Sequence, residues 1–158
     1  MKSISVCLLL WLIVMITGSC KNSIPAPQNS STDISSAPDN ISLAFDGVSM
    51  SSAMPQAIYS REAGILQITS TFSTNKGVTL NINNPAPGTF SIKNGVATGF
   101  FSLDVSPSDL FTATAGTISI SSFTTNSVSG TFQFSGSTID SVTGEITNGQ
   151  FRVHLITQ

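Results

Sequence analysis

Residues 77–83 have the sequence Gly77-Val78-Thr79-Leu80-Asn81-Ile82-Asn83, in which apolar and polar side chains alternate. This period of two places Val78, Leu80 and Ile82 on one face of a β-strand and their neighbours on the other. Similar alternation recurs at residues 66–72, 89–92, 101–105, 117–120, 131–134 and 151–155. The chain has no convincing amphipathic-helix pattern, so the sequence predicts an all-β fold whose strands each bury one face.

Turn-forming residues separate these runs at short intervals. They are Asn75-Lys76-Gly77, Pro85-Ala86-Pro87-Gly88, Lys93-Asn94-Gly95, Thr125-Asn126 and Asn148-Gly149. Asn94-Gly95, between two alternating runs, is expected to turn a β-hairpin. We expect strands to start near residues 41, 64, 77, 88, 96, 116, 128 and 149, with a less regular one near 54–60. About eight strands predict a single antiparallel domain, either a β-sandwich or a small barrel.

The first 20 residues have the features of a bacterial lipoprotein signal. Lys2 precedes an apolar run from Ile4 to Ile16, which Thr17-Gly18-Ser19-Cys20 follows. The run is shorter than the roughly 20 residues of a membrane span and fits a secretory signal. Small residues that end on a cysteine resemble a lipobox, where a peptidase cuts before the cysteine and the cysteine is lipidated. We therefore expect residues 1–19 to be a signal peptide and Cys20 to be lipidated, for example with palmitate. The alternatives are an ordinary signal peptide and an uncleaved anchor.

Residues 20–40 are expected to form the lipidated end and a flexible, disordered linker. The segment is rich in Pro, Ser, Asn and Asp and its few aliphatic residues have no period. As a coil it spans roughly 25 Å. Lys21, rather than Asp, follows Cys20, so the inner-membrane retention signal of lipoproteins is missing and we expect the outer membrane, with the periplasmic or surface side left open. Residues 41–158 are then the β domain, long enough to build a core.

The composition excludes several functional classes. Six Lys and Arg residues stand against eight Asp and Glu, too few cations for a nucleic-acid-binding patch. Cys7 would leave with the signal and Cys20 would be acylated, so no disulfide or cysteine nucleophile is expected. We predict no cofactor and no metal site. The oxygen-rich stretch 104–109 matches no established Ca²⁺ loop, and its Ser-Pro turn explains it.

No arrangement of residues typical of catalysis is found, and we expect a protein that is not an enzyme. His154 lies beside Arg152 on the polar face of the last strand, where we expect it to contact solvent. A glycan hydrolase would need two carboxylates about 5–9 Å apart across a cleft. The candidates in the domain are Asp46, Glu62, Asp104, Asp109, Asp140 and Glu145.

Three phenylalanines, Phe100, Phe111 and Phe123, fall outside the apolar phase of their neighbours. They are expected either to cover an edge or open end of the sheet or to form a ligand-binding patch. Residues 20–158 contain no Trp, and Tyr59 is the only Tyr, which argues against the usual sugar-stacking platform. Asp140-Ser141-Val142 resembles the short O-glycan acceptor of exported Bacteroidetes proteins, making Ser141 a candidate glycosylation site.

Several motifs occur in an order that resembles a family. They are Leu43-Ala44-Phe45-Asp46-Gly47, Tyr59, Gly64-Ile65-Leu66-Gln67-Ile68, Gly116-Thr117-Ile118-Ser119-Ile120, Ser129-Gly130-Thr131-Phe132-Gln133-Phe134 and Ile146-Thr147-Asn148-Gly149-Gln150-Phe151. Together they resemble an uncharacterised family of small Bacteroidetes-type outer-membrane lipoproteins, whose relatives often carry Trp near the position of Met50. The resemblance implies a β domain at the outer membrane and implies no activity.

These observations predict a non-enzymatic, lipid-anchored cell-envelope protein that acts in binding or as a structural accessory. Its partners would be the membrane, through the lipid, and an envelope protein or glycan, with no nucleic acid. One alternative is a carrier of a small apolar ligand in a barrel cavity. The other is a glycan hydrolase that uses paired carboxylates.

Overall fold

A computed structural model describes residues 37–72, 75–104 and 106–158. The expected signal peptide, Cys20 and most of the linker lie outside these residues. The described chain forms ten β-strands and a single 3-10 turn, Pro107–Asp109, so the all-β prediction is confirmed. The predicted number of strands, about eight, was too low. The strands are β1 (Asn40–Phe45), β2 (Val48–Ser52), β3 (Gln56–Ser60), β4 (Ile65–Thr71), β5 (Gly77–Asn83), β6 (Gly88–Ser91), β7 (Ala97–Ser102), β8 (Leu110–Phe123), β9 (Ser127–Ser137) and β10 (Thr143–Thr157). Over the described residues, we find no helix with the length and hydropathy of a membrane span.

Seven strands form a closed ring in the order β10-β3-β4-β5-β7-β8-β9, with β9 returning to β10. All of these pairs are antiparallel except β3 with β10, which run parallel and pair Tyr59 with Thr157. The other three strands lie outside the ring: β1 pairs with β10, β2 with β1, and β6 with β8. The domain is therefore a seven-stranded barrel. Of the three extra strands, β1 and β6 pair with its two longest strands, β10 and β8, and β2 pairs with β1.

Two turns differ from the expected ones. Asp46-Gly47 connects β1 to β2, a strand absent from the sequence prediction, and both residues have positive φ, 47° and 81°. This is the geometry of a two-residue type I′ hairpin. Asn94-Gly95, in contrast, does not turn a hairpin, because β6 pairs with β8 and not with β7. β6 and β7 both pair antiparallel with β8, each along a different part of it. The Asn94-Gly95 turn lies between β6 and β7 in the chain.

Two β-bulges in β8 explain why Phe111 was misplaced by the sequence pattern. The register with β9 shifts between Ala113 and Ala115 and again between Ile120 and Ser122. Each bulge inserts one residue and reverses which side chains face inward. Phe111 therefore faces the same way as Ile118 although the two are an odd number of residues apart, and it is fully buried. The expectation that Phe111 covers an edge or binds a ligand is wrong.

The inward side chains form one continuous core. Its buried members are Ile41, Leu43, Ala57, Leu66, Ile68, Phe72, Val78, Leu80, Ile82, Ile92, Ala97, Phe101, Phe111, Ile118, Ile120, Val128, Phe132, Phe134, Ile146, Phe151 and Val153. Four phenyl rings form a series within this core, and neighbouring ring centroids in it lie 6.2–6.4 Å apart. Their spatial order is Phe111, Phe134, Phe132 and Phe151. Side chains thus occupy the barrel interior, and the clefts described below are open to solvent.

Candidate functional site

A cleft of about 540 Å³ lies where β3, β8 and β10 end. We call it the mouth cleft; it is lined by Tyr59, Arg61, Phe123, Thr124, Thr125, Leu155 and Thr157. Its apolar members, Tyr59, Phe123 and Leu155, are partly buried and pack against the core. A concave site with an apolar floor and a few polar groups is the usual form of a small-molecule site.

The aromatic floor of the mouth cleft is built by tertiary pairing. Tyr59 and Phe123 meet edge to face, with ring centroids 5.4 Å apart and planes at 86°. The bulge after Ile120 restores Phe123 to the inward phase, opposite Val128 of β9. The parallel pairing of β3 with β10 brings Tyr59 beside the strand that carries Leu155. In the sequence, Phe123 and Tyr59 stand out for separate reasons, and no pattern joins them.

Polar groups form the rim of the mouth cleft. Arg61 is the one charged residue of its lining. Its backbone N–H donates to the carbonyl of Gln158 at 3.1 Å, and the N–H of Gln158 donates to the carbonyl of Tyr59 at 2.9 Å, which ties the end of β3 to the end of β10. Thr124 Oγ1 accepts a hydrogen bond from the N–H of Ser127 at 3.0 Å, which fixes the β8–β9 turn. The rim therefore offers one cation and several hydroxyls above an apolar floor.

His154 lies one residue before Leu155 and contacts Asp39, which precedes β1. Its side chain is half exposed, as expected, and its Nδ1 lies 2.6 Å from Oδ1 of Asp39. The same oxygen accepts a hydrogen bond from the N–H of His154 at 2.9 Å. Asp39, assigned by sequence to the linker, is thus held against β10, and β1 begins at the next residue, Asn40. Asp39 and the start of β1 therefore lie beside the part of β10 that carries Leu155.

A second cleft, of about 450 Å³, lies on the outside of the barrel. It is lined by Ser52, Met54, Gln56, Thr69, Ser70, Thr71, Gly77, Val78, Thr79, Phe100, Ser102 and Leu110. Phe100 is half-buried here and points away from Phe101, its fully buried neighbour. The prediction that Phe100 falls outside the core phase is confirmed.

The six predicted carboxylates are absent from the lining of four clefts of the described residues. Besides the mouth cleft and the cleft at Phe100, the described residues form two further grooves that share Ser42 and Gln150. None of the six candidate carboxylates lines these grooves, the mouth cleft or the cleft at Phe100. Asp46 instead has a structural contact, since its Oδ1 accepts a hydrogen bond from the N–H of Glu145 at 2.9 Å. Within the described ranges, no group of three or more His, Cys, Asp or Glu residues is placed to hold a metal ion.

The structure describes one of the two predicted modification sites. Cys20 lies outside the described residues. Ser141 lies in the β9–β10 connection, where it is exposed and has a φ of 63°. Its N–H donates to the carbonyl of Thr138 at 3.1 Å, so the side chain projects from a tight turn.

Comparison with known proteins gives one match. No curated protein and no solved structure matches the chain. The model of the family described as Domain of unknown function (DUF6252) matches residues 41–153, which include β2 to β9 and most of β1 and β10. The chain therefore belongs to the DUF6252 family.

Proposed function

We propose that this protein is a non-enzymatic binding domain of the bacterial cell envelope, anchored to the outer membrane by lipid on Cys20. The mouth cleft is the observation that carries the binding role, because it combines an aromatic floor with a polar rim. The lipid anchor is supported by the apolar run from Ile4 to Ile16 and by Gly18-Ser19-Cys20. Two acyl chains are enough for stable attachment to a membrane.

The mouth cleft fits a ligand with an apolar body and an anionic or hydrogen-bonding head. Tyr59, Phe123 and Leu155 would contact the body. Arg61 and the threonine hydroxyls would contact the head, since guanidinium groups pair well with carboxylates. A volume of about 540 Å³ lies within the range of about 300–1,000 Å³ typical of small-molecule sites.

Both alternative functions have less support than this one. A carrier would hold its ligand inside the barrel, where the described core side chains are packed. We therefore place the ligand at the mouth. A glycan hydrolase would need two carboxylates across a cleft, and no described carboxylate lines the mouth cleft, the cleft at Phe100 or the two grooves at Ser42 and Gln150.

Titration with 1-anilinonaphthalene-8-sulfonate tests the site, because this dye is an aromatic body with one sulfonate. We expect saturable binding, and Phe123→Ala raises the Kd at least tenfold. Ile156→Ala is the matched control, since Ile156 is exposed and lies outside the mouth cleft on the same strand as Leu155. Cooperative thermal unfolding of each variant confirms that it is folded. Equal affinity of all three proteins, or no saturable binding, would overturn the proposal.

A further inference from the structure

The outward side chains of β3, β4, β5 and β7 form a surface without charge, which we call the uncharged face. Its residues are Gln56, Ile58, Ser60, Ile65, Gln67, Thr69, Thr71, Thr79, Asn81, Asn83, Thr98, Phe100 and Ser102. None of the four strands contains Asp, Glu, Lys, Arg or His. The opposite side differs, because β10 carries Glu145, Arg152 and His154. A surface without charge does not attract a charged partner over long range.

Hydrogen bonds between neighbouring strands orient the amides of the uncharged face. Nε2 of Gln67 donates to Oδ1 of Asn81 at 3.1 Å, and Nδ2 of Asn81 donates to Oγ1 of Thr98 at 3.3 Å. These three residues are cross-strand neighbours in register on β4, β5 and β7. Each amide has two N–H donors and an oxygen with two lone pairs, so groups remain for a ligand after these bonds are made. Gln67, Asn81 and Thr98 therefore form a row of hydrogen-bond donors and acceptors whose positions are fixed before a ligand binds.

Phe100 lies beside this row. Its cross-strand neighbour on β5 is Thr79, which in turn pairs with Thr69 of β4. The cleft at Phe100 is bounded on one side by Met54, whose side chain is 83% exposed. Ten of the thirteen side chains of the uncharged face are polar, and its apolar members are Ile58, Ile65 and Phe100. Leu110, which is 42% exposed, lies with Met54 in the lining of the cleft.

This combination matches the chemistry of a neutral sugar. A pyranose presents hydroxyls around its rim, which both donate and accept hydrogen bonds, and C–H groups on its faces. A protein partner fits less well, because the cores of protein interfaces are mostly apolar, whereas most side chains of the uncharged face are hydroxyls and amides. An anionic partner would find no cation on these strands. We propose that the uncharged face binds a neutral glycan, with Gln67 and Asn81 hydrogen-bonding its hydroxyls and Phe100 contacting a C–H face. This site is separate from the mouth cleft.

Affinity electrophoresis in native gels tests the proposal on the full chain. The gels contain a neutral α-glucan, β-glucan, mannan or galactan, and a parallel set contains a carboxymethylated form of each. We expect at least one neutral polysaccharide to retard the protein, and its carboxymethylated form to retard it less. Retardation by none of the neutral polysaccharides, or stronger retardation by a charged form, overturns the proposal.

Variants then locate the binding surface. Asn81→Ala and Phe100→Leu should each weaken the retardation at least tenfold in apparent Kd. Gln133→Ala, in an exposed outward position of β9, is the control and should bind as the unmodified chain does. Thermal unfolding verifies folding, and Gln67→Ala replaces any variant that fails to fold. If the folded variants bind glycan as the unmodified chain does, the assignment to this face is wrong. It is also wrong if no glycan binds and the measured mass shows that the protein self-associates.

Discussion

Phe45 of β1 stacks on Phe101 of β7, with ring centroids 4.9 Å apart and planes inclined by 22°. β1 and β7 are not neighbours in the sheet, so this contact crosses the interior of the domain. Phe45 also meets Phe111 of β8 edge to face at 5.7 Å. These contacts pack the β1–β2 hairpin, which lies outside the ring of seven strands, against the barrel core.

Phe45→Ala should therefore lower the free energy of unfolding by about 3 kcal/mol, since it removes a phenyl ring and leaves a cavity beside two others. Urea denaturation measures the change. Val48→Ala on the same hairpin is the control, because Val48 is exposed and its loss should cost less than about 0.5 kcal/mol. A small effect of both substitutions would show that the hairpin is not packed on the barrel.

Asp46→Ala should lower the free energy of unfolding by about 1–2 kcal/mol. Ala tolerates the φ of 47° poorly and cannot accept the hydrogen bond from the N–H of Glu145. Asp46→Asn replaces the accepting carboxylate oxygen by an amide oxygen, and Asn also adopts this conformation. Its free energy of unfolding should therefore be close to that of the unmodified protein. If Asn proves as damaging as Ala, this explanation of the turn is wrong.

Ser70→Ala should raise the free energy of unfolding by about 1 kcal/mol. The Ser70 hydroxyl is buried on β4 and has no hydrogen-bond partner among the described residues, so its removal relieves a desolvation cost. Ser129→Ala is the comparison, because Ser129 Oγ lies 3.1 Å from Oγ of Ser121 and its removal should not stabilise. Thermal unfolding measures both, and a lower Tm for Ser70→Ala would contradict the prediction.

Cys20→Ala should release the protein from membranes. Cell fractionation followed by immunoblotting measures attachment, and labelled palmitate should be incorporated only by the protein that retains Cys20. Lys21→Asp is the companion variant and should stay lipidated but move to the inner membrane. If the Cys20→Ala protein stays attached to the membrane, lipid on Cys20 is not what holds it there.

Local patterning was sufficient to predict much of the fold. Val78, Leu80 and Ile82 alternate with polar residues and are all buried, as expected for one inward face. The pattern failed where the backbone departs from strict alternation, since the bulges of β8 shift the phase between Phe111 and Ile118. The Asp46-Gly47 turn was available in the sequence as a hairpin signal and would have located β2.

The candidate site was less predictable, because non-local strand pairing assembles it. Tyr59, Phe123 and Leu155 lie on three strands far apart in sequence, and one of the joining pairs is the parallel β3–β10 pair. Such a pair has no local turn to announce it. The alternation did predict which side chains lie on the uncharged face, but the barrel order was needed to place Gln67, Asn81 and Thr98 in one row.

Tyr59 provides the most direct test of binding at the mouth cleft, because it is the only tyrosine among 158 residues. Incorporation of 3-fluorotyrosine gives a single ¹⁹F resonance, which is followed while 1-anilinonaphthalene-8-sulfonate is added. We expect a saturable shift of this resonance, with at least tenfold more dye required in Leu155→Ala and an unchanged titration in Ile156→Ala. A resonance that stays in place while dye fluorescence reaches saturation would contradict it, since the dye would then bind away from Tyr59.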